Sequence, residues 1–437
     1  MGAKKALAVL LGVLTAASTL AAGPPSPATA ATTRISSWST DRGSVEHSSA
    51  AGAVFWRGSW ATAQQRLNPN VPGWARRGFA GQSVRQVVRL SVGGSHVRIR
   101  LSNLYGNTTL RLTGATIARA GAGAAVKRGS QRNLAFGGHA WARIPHGGEL
   151  DSDRLAMRTS ALEKVTVTLY FARRTGPATY HSQAMATSYR ATGDHRVDPT
   201  GRAFTQTSRS WYYLTRIDVR GAQAQPRNGI VALGDSITDG YSSTLNANRR
   251  FPDRLAERLV RNRTPRPVLN AGISANRLLS ASPCGGESAT ARFRRDVVLQ
   301  PGVHTAIILE GINDIRTQGS TSGCGQGAPH ITAQRLINGH RNLIKWAHQR
   351  GLKVIGATLL PCSCVDGNEA MRTAVNRWIR STPPGRGGYD AVADLDRALR
   401  NPNRPGTLLP RYDSGDHIHP NDAGYQRMAQ AIPLTRL

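Results

Sequence analysis

The sequence predicts two unlike halves: an all-β, jelly-roll-like sandwich, then an α/β domain on an open, parallel, five-stranded sheet. Three observations carry this. From about residue 51 to 220, apolar residues recur with a period of two between turn signals. A polar, breaker-containing segment, Gly221-Ala222-Gln223-Ala224-Gln225-Pro226, reads as a linker over 221–228. Beyond it, short apolar runs alternate with helical stretches, the rhythm of a parallel sheet covered on both faces.

Composition narrows the class first. Of 437 residues, 39% are hydrophobic and 19% charged, which fits a globular chain and excludes a mostly disordered one. Glycine is abundant but has no three-residue period, so collagen is excluded. The one long apolar run is N-terminal, which excludes a polytopic membrane protein and a stable span elsewhere. That run, Ala6 to Ala22, follows Lys4 and Lys5 and precedes Ala28-Thr29-Ala30, the pattern of a secretory leader over 1–30 cleaved near Ala30. An extracellular protein is therefore expected, with a Ser/Thr-rich lead-in over 31–50. Lys plus Arg number 57 against 25 Asp plus Glu, a net charge of +32 that favours anionic surfaces. The arginines are spread along the chain rather than massed, so a solvated basic surface explains them equally, and no nucleic-acid motif is present.

In the first half, Val88, Leu90 and Val92 alternate with polar residues. Gly93-Gly94 supplies a turn, and Val97, Ile99 and Leu101 alternate again, the pattern of a β-hairpin. Leu110 and Leu112, then Val165, Val167, Leu169 and Phe171, continue the sandwich over 51–220. In the second half, over 229–437, strands are expected at Ile230–Leu233, Val268-Leu269, Ala306–Leu309, Val354–Leu359 and Tyr389–Val392. Helices are expected around Pro252–Val260, Thr332–His348, Ala370–Arg380 and Asn421–Ala431, the last with Asn421 or Asp422 at its N-cap.

Ligands of open α/β sheets bind beyond the carboxyl ends of the strands. The polar clusters fall there: Gly234-Asp235-Ser236-Ile237-Thr238-Asp239-Gly240, Asn270-Ala271-Gly272-Ile273-Ser274-Ala275-Asn276-Arg277 and Glu310-Gly311-Ile312-Asn313-Asp314. Before the last helix stands Asp413-Ser414-Gly415-Asp416-His417-Ile418-His419-Pro420. A serine hydroxyl is a weak nucleophile until a base takes its proton. His419 suits that task, since imidazole titrates near neutrality. Asp416, three residues earlier, is the natural group to hold its tautomer.

These four ordered blocks resemble the SGNH hydrolases, also called GDSL esterases and lipases, over about 229–437. The β-rich half resembles the N-terminal region of some secreted bacterial members. The resemblance implies a flavodoxin-like α/β/α domain and a carboxylic ester hydrolase working through an acyl-enzyme, with Ser236 as nucleophile and no metal or organic cofactor. It prefers His419, which precedes proline, over His417, and Asp416 over Asp413, which reads as a turn residue. It implies an oxyanion hole of the Ser236 backbone N–H, the Asn313 side chain and a backbone N–H from the second block. The residue usual there is glycine, and here the position holds Ala275. Alanine keeps the N–H, but the role requires a φ that a Cβ tolerates. Asp235 and Asp314 are expected to bond loop N–H groups.

The four cysteines, Cys284, Cys324, Cys362 and Cys364, favour disulfides in a secreted chain, and their spacing makes a structural zinc site unlikely to be formed. Three pairings are open. Cys284–Cys324 with Cys362–Cys364 is preferred, although the second closes a very small ring. All four follow site blocks or the fourth strand, so they are expected to staple loops at the site rim. The substrate expected is a short-chain or acetyl ester of a polysaccharide. Six of the eight tryptophans precede residue 221 (Trp38, Trp56, Trp60, Trp74, Trp141 and Trp211), either to stack on sugars or to fill the sandwich. The rivals are a lipase or phospholipase acting on longer chains, and a non-catalytic carbohydrate- or wall-binding protein.

Overall fold

The computed structural model describes residues 55–68, 73–221, 228–363 and 367–437. The expected leader, the lead-in, most of the linker, Trp38 and Cys364 lie outside the described residues. Ala53–Leu437 form one compact unit. No helix among the described residues is long and apolar enough to cross a membrane.

The first half is a sandwich of two antiparallel sheets. One orders Arg57–Ala61, Leu214–Arg220, Gly94–Ser102 and Glu149–Asp151, with Leu155–Thr159 also pairing to Gly94–Ser102. The other orders Gln206–Ser208, Ser188–Thr192, Gln82–Arg89, Lys164–Phe171, Gly114–Arg119 and Arg132–Leu134. Val84, Val88, Val165, Val167 and Leu169 from one sheet meet Val97, Ile99, Leu101 and Ile217 from the other in a shared core.

The hairpin expected across Gly93-Gly94 does not form. Gln82–Arg89 pairs with Lys164–Phe171 and Ser188–Thr192, whereas Gly94–Ser102 belongs to the opposite sheet. Residues 90–93 cross between the sheets: Leu90 N–H donates to the Glu163 carbonyl and Ser91 N–H to the Ser59 carbonyl. A Cβ on Gly93 would lie 2.2 Å from the Thr159 carbonyl oxygen, so the glycine serves a close approach rather than a tight turn. A period of two reports which face of a strand is buried, not which strand is its neighbour. Trp60, Trp74 and Trp211 are buried, and Trp56 lies under the Arg98 guanidinium; Trp141 is exposed.

The second half carries a five-stranded parallel sheet of β1 (Gly229–Gly234), β2 (Val268–Gly272), β3 (Val303–Leu309), β4 (Lys353–Ala357) and β5 (Ala391–Ala393), in the order β2-β1-β3-β4-β5. This is the flavodoxin-like order, with its switch point between β1 and β3. Its helices are α1 (Ser236–Asp239), α2 (Phe251–Arg261), α3 (Ala289–Phe293), α4 (Ile312–Thr317), α5 (Ala333–His348), α6 (Glu369–Ser381) and α7 (Asp422–Ala431), with one further short helix, Leu395–Leu399, between β5 and α7. Helical spacing buries Phe251, Leu255, Ala256 and Leu259 on α2, and Leu336, Ile337, His340, Leu343, Ile344 and Ala347 on α5. Thr332 caps α5 by accepting from Arg335 N–H, and Asn421 caps α7 by accepting from Gly424 N–H. Right-handed crossovers place α2 on one face of the sheet and α3, α5 and α6 on the other.

The halves are bonded directly to each other. Ser91 Oγ accepts from Val268 N–H of β2 at 3.0 Å, and Arg89 pairs with Glu257 at 2.8 Å. Tyr105 Oη donates to Glu287 at 2.8 Å, and Gln65 Nε2 to the Cys284 carbonyl at 3.0 Å.

Candidate active site

β1 ends at Gly234, where a Cβ would lie 2.0 Å from Thr238 Oγ1, so only glycine lets the chain turn tightly into α1. Asp235 then caps α1 by accepting from Ile237 N–H at 2.9 Å. Gly240, at φ 95°, closes that single turn. This sharp strand-to-helix junction presents Ser236 at the carboxyl edge of the sheet. Its Oγ lies 2.8 Å from His419 Nε2.

His419 precedes α7, and its Nδ1 lies 2.6 Å from Asp416 Oδ2. The carboxylate also accepts from the backbone N–H groups of Ile418 (3.0 Å) and His419 (2.8 Å). Burial acts to raise the Asp416 pKa, but these donors outweigh it and hold it at about 2. An ionised Asp416 fixes the proton on Nδ1 and leaves Nε2 to accept from the serine. Burial lowers the pKa of His419 against the opposing pull of Asp416, so the ring is neutral, as a base must be. The Tyr241 ring packs 4.5 Å from the His419 ring centroid. His417 is exposed and turned to a different acid, with Nδ1 2.6 Å from Asp413. Asp413 also accepts from Gly415 and His417 N–H, as a turn residue does.

The loop after β2 carries Ala275 at φ 63°, in the left-handed region. Several groups hold it. Asn313 of α4 donates to the Asn276 carbonyl at 2.9 Å, leaving the other amide hydrogen of Nδ2 free. Asp314 accepts from Leu278 N–H (2.7 Å) and Leu279 N–H (3.0 Å). Asp239 accepts from Ser274 N–H (3.0 Å) and Ser274 Oγ–H (2.9 Å). The backbone N–H groups of Ser236 and Ala275 find no protein acceptor among the described residues.

Sequence reasoning missed the groups beneath and behind the site. Arg292, on α3, is fully buried and donates to the Gly234 carbonyl (3.0 Å), the Ala271 carbonyl (2.6 Å) and Asn276 Oδ1 (3.0 Å). It thereby ties the ends of β1 and β2 to the loop, and it also meets Glu310 at 3.4 Å. Burial, and then repulsion from Asp314, push the Asp235 carboxyl up to about 7, and burial followed by repulsion from Asp235 pushes Glu310 up. Burial raises Asp314 to about 6. His181 of the sandwich meets Asp239 at 2.9 Å, both fully buried. Asp239 stood in the first block with no role; its partner lies in the other half, where no pattern points to it.

Cys284 and Cys324 form a disulfide with Cα atoms 5.1 Å apart, joining the loop after β2 to the segment after α4. Cys362 is also disulfide-bonded. Among the described residues no group of three or more His, Cys, Asp or Glu side chains is placed to hold a metal ion.

Residues 232–427 match the model of the GDSL-like lipase/acylhydrolase family. No curated protein matches the chain. Among solved structures, an acetylxylan esterase from Geobacillus stearothermophilus is similar at 19% identity, covering 48% of this chain and 94% of that one, with a TM-score of 0.35. A GDSL-like lipase from Bacteroides thetaiotaomicron is similar at 19% identity, covering 48% and 89%, with a TM-score of 0.34. An α/β hydrolase enzyme from the metagenome of Lake Arreo, Spain, is similar at 20% identity, covering 46% and 92%, with a TM-score of 0.35. The family match begins in β1 and ends in α7, so it spans the whole sheet and every site block, and residues 232–427 form a GDSL-like lipase/acylhydrolase domain of the SGNH type, the domain of a carboxylic ester hydrolase.

Proposed function

We propose that the chain is a secreted serine esterase that removes short acyl groups from polysaccharides, with Ser236, His419 and Asp416 as its catalytic residues. The observation that carries the reading is the unbroken relay from Ser236 Oγ to His419 at 2.8 Å and from His419 to Asp416 at 2.6 Å. Ser236 Oγ attacks the ester carbonyl carbon while its proton passes to His419 Nε2. The carbonyl oxygen becomes an oxyanion, met by the N–H groups of Ser236 and Ala275 and the free amide hydrogen of Asn313. Each such donor is worth roughly 2.7–4 kcal/mol of barrier. Collapse breaks the bond to the alcohol oxygen, which leaves with the proton from Nε2. Water then attacks the acyl-enzyme, giving a proton to His419; the acid departs and that proton returns to Ser236 Oγ.

Export is supported by Lys4, Lys5, the apolar run and Ala28-Thr29-Ala30, and by the Cys284–Cys324 bond, which suits an oxidising compartment. Fluorophosphonate labelling tests the nucleophile. Modification is expected at Ser236 and lost in Ser236→Ala; labelling of another serine with Ser236 untouched overturns the assignment. A p-nitrophenyl ester series tests the acyl group. Turnover should fall beyond short chains, and a rise toward long chains would make the enzyme a lipase.

A further inference from the structure

A groove of about 970 Å³ opens where the sandwich meets the hydrolase half, beside the relay. Tyr241 lines it and also packs against His419, so a single side chain stands between the groove and the relay. Its chemistry is one-sided. Arg77 and Arg209 line it and are exposed, and neither has a carboxylate partner among the described residues. No described lining residue is acidic. Arg190 stands behind the wall, its guanidinium 4.4 Å over the Trp74 ring, so a third cation adds to the field. Burial first, and then repulsion from Arg77, lower the pKa of Arg190, as expected where positive groups crowd without a counterion.

The rest of the lining is mostly hydroxyl-bearing, with Ser182, Ser243 and Tyr241 among it. Ser243 is only 4% exposed, and its Oγ has no hydrogen-bond partner among the described residues. The Arg77 guanidinium lies over Gly73, where a Cβ would come within 2.8 Å of it, so the glycine gives this arginine its room.

Unpaired guanidinium forks among hydroxyls match carboxylates carried on a sugar chain, since arginine binds carboxylate in a bidentate, planar manner. A lipid tail would require an apolar trough instead. We propose that this groove is the alcohol-side subsite of the esterase and that Arg77 and Arg209 bind the carboxylates of an acidic, acylated polysaccharide. The proposal rests on the reading of Ser236 as the nucleophile.

The test compares acetylated polyuronate oligosaccharides, acetylated neutral xylo-oligosaccharides and p-nitrophenyl acetate on the full chain and on Arg77→Gln/Arg209→Gln. The parent should prefer the acidic oligosaccharide, and high salt should erase the preference. The double variant should lose about 10- to 100-fold in kcat/KM on the acidic substrate, mainly through KM, while p-nitrophenyl acetate turnover stays within about twofold. Equal rates on acidic and neutral oligosaccharides in the parent, or an equal loss on p-nitrophenyl acetate in the variant, overturn the subsite. So does competition by phosphatidylglycerol vesicles but not by unacetylated polyuronate, which would make the anion a lipid. Calorimetric titration of Ser236→Ala with unacetylated polyuronate separates the two claims. Binding without any ester turnover in the parent defeats the esterase reading and keeps the groove; turnover of p-nitrophenyl acetate without binding defeats the groove alone.

Discussion

Replacing Ala275 with glycine isolates the one site residue at which this chain departs from its family's usual pattern. Ala275 is held at φ 63°. A side chain in the left-handed region costs about 1–2 kcal/mol. Glycine relieves that strain but returns about 0.4–1 kcal/mol to the unfolded chain as entropy. The methyl group is half-buried, so little apolar burial is lost. The net expectation for Ala275→Gly is a gain of about 0.5–1 kcal/mol, read by urea denaturation at unchanged slope. In a chain of this size that shifts Tm by only about 1 °C, which makes the chemical midpoint the better assay. Because the N–H is kept, kcat/KM on p-nitrophenyl acetate should stay within about threefold, against the roughly 100-fold or greater loss that follows a missing donor. Bulkier acyl groups should gain most, since the methyl narrows the site. A destabilised protein, or a 100-fold fall in turnover with the fold intact, would mean that the methyl group and not the N–H is what the position supplies.

Because burial lowers the His419 pKa, kcat/KM should rise with pH through a value below 6.5 and then level; Asp416→Asn should cut kcat by up to about 10⁴ and move that inflection lower, and a profile centred above 6.5 would contradict the burial argument. The Glu310 carboxyl is raised in the folded state, so it favours folding below its unfolded value of 4.5 and loses that contribution as pH climbs through the raised one. Glu310→Gln, a mimic of the protonated acid, should therefore leave Tm nearly unchanged near pH 4.5 and increase it relative to the parent toward pH 8; a difference independent of pH would refute it. His181→Gln should lower kcat several-fold with little change in KM, because the loop holding Ala275 loosens while the relay stays in place; an effect on stability alone would reduce His181 to a packing residue.

The Ser236 block was legible because it stands where a short apolar run stops at Gly and Asp, the end of a strand, whereas Asp416 and His419 were legible from their spacing before the last helix and from the resemblance. The expected order of strands and helices held, with ends shifted by one to three residues: β2 runs on to Gly272, β3 starts at Val303, and α6 begins at Glu369. The groups that failed to announce themselves act through partners far off in the chain. Arg292 sits in a helix, where an arginine ordinarily reads as a solvated face, yet it is buried against two strand ends and a loop. Glu310 was visible as the residue after β3, but its raised pKa comes from burial and then from Asp235, 75 positions earlier, neither of which the local sequence displays. At Ala275 the substitution was legible and the sign of φ was not, since a backbone angle is fixed by the bonds around the loop. The missed pairing of Gln82–Arg89 and Gly94–Ser102 is the same lesson in the sandwich: local alternation showed the buried face, and distant strands chose the neighbours.

The sandwich also helps to build the site. Both ring nitrogens of His181 face oxygen: Nδ1 lies 2.8 Å from the Ala63 carbonyl and Nε2 lies 2.9 Å from Asp239. A carbonyl oxygen can only accept, so Nδ1 donates to Ala63, and Nε2 bonds the Asp239 carboxyl group. The other oxygen of Asp239 accepts both hydrogens of Ser274, the residue before Ala275. Three consecutive bonds thus run from a strand of the first half to the loop whose strained N–H faces the oxyanion position. A hydrolase half cut away near residue 228 would leave Asp239 without its His181 partner and the loop without that anchor, even with Ser236, His419 and Asp416 intact. The groove, walled by both halves, would be lost in the same cut. The proposed active site is therefore built by both cores, with one supplying the relay and the other bonding the loop of Ala275 and carrying the arginines of the proposed subsite.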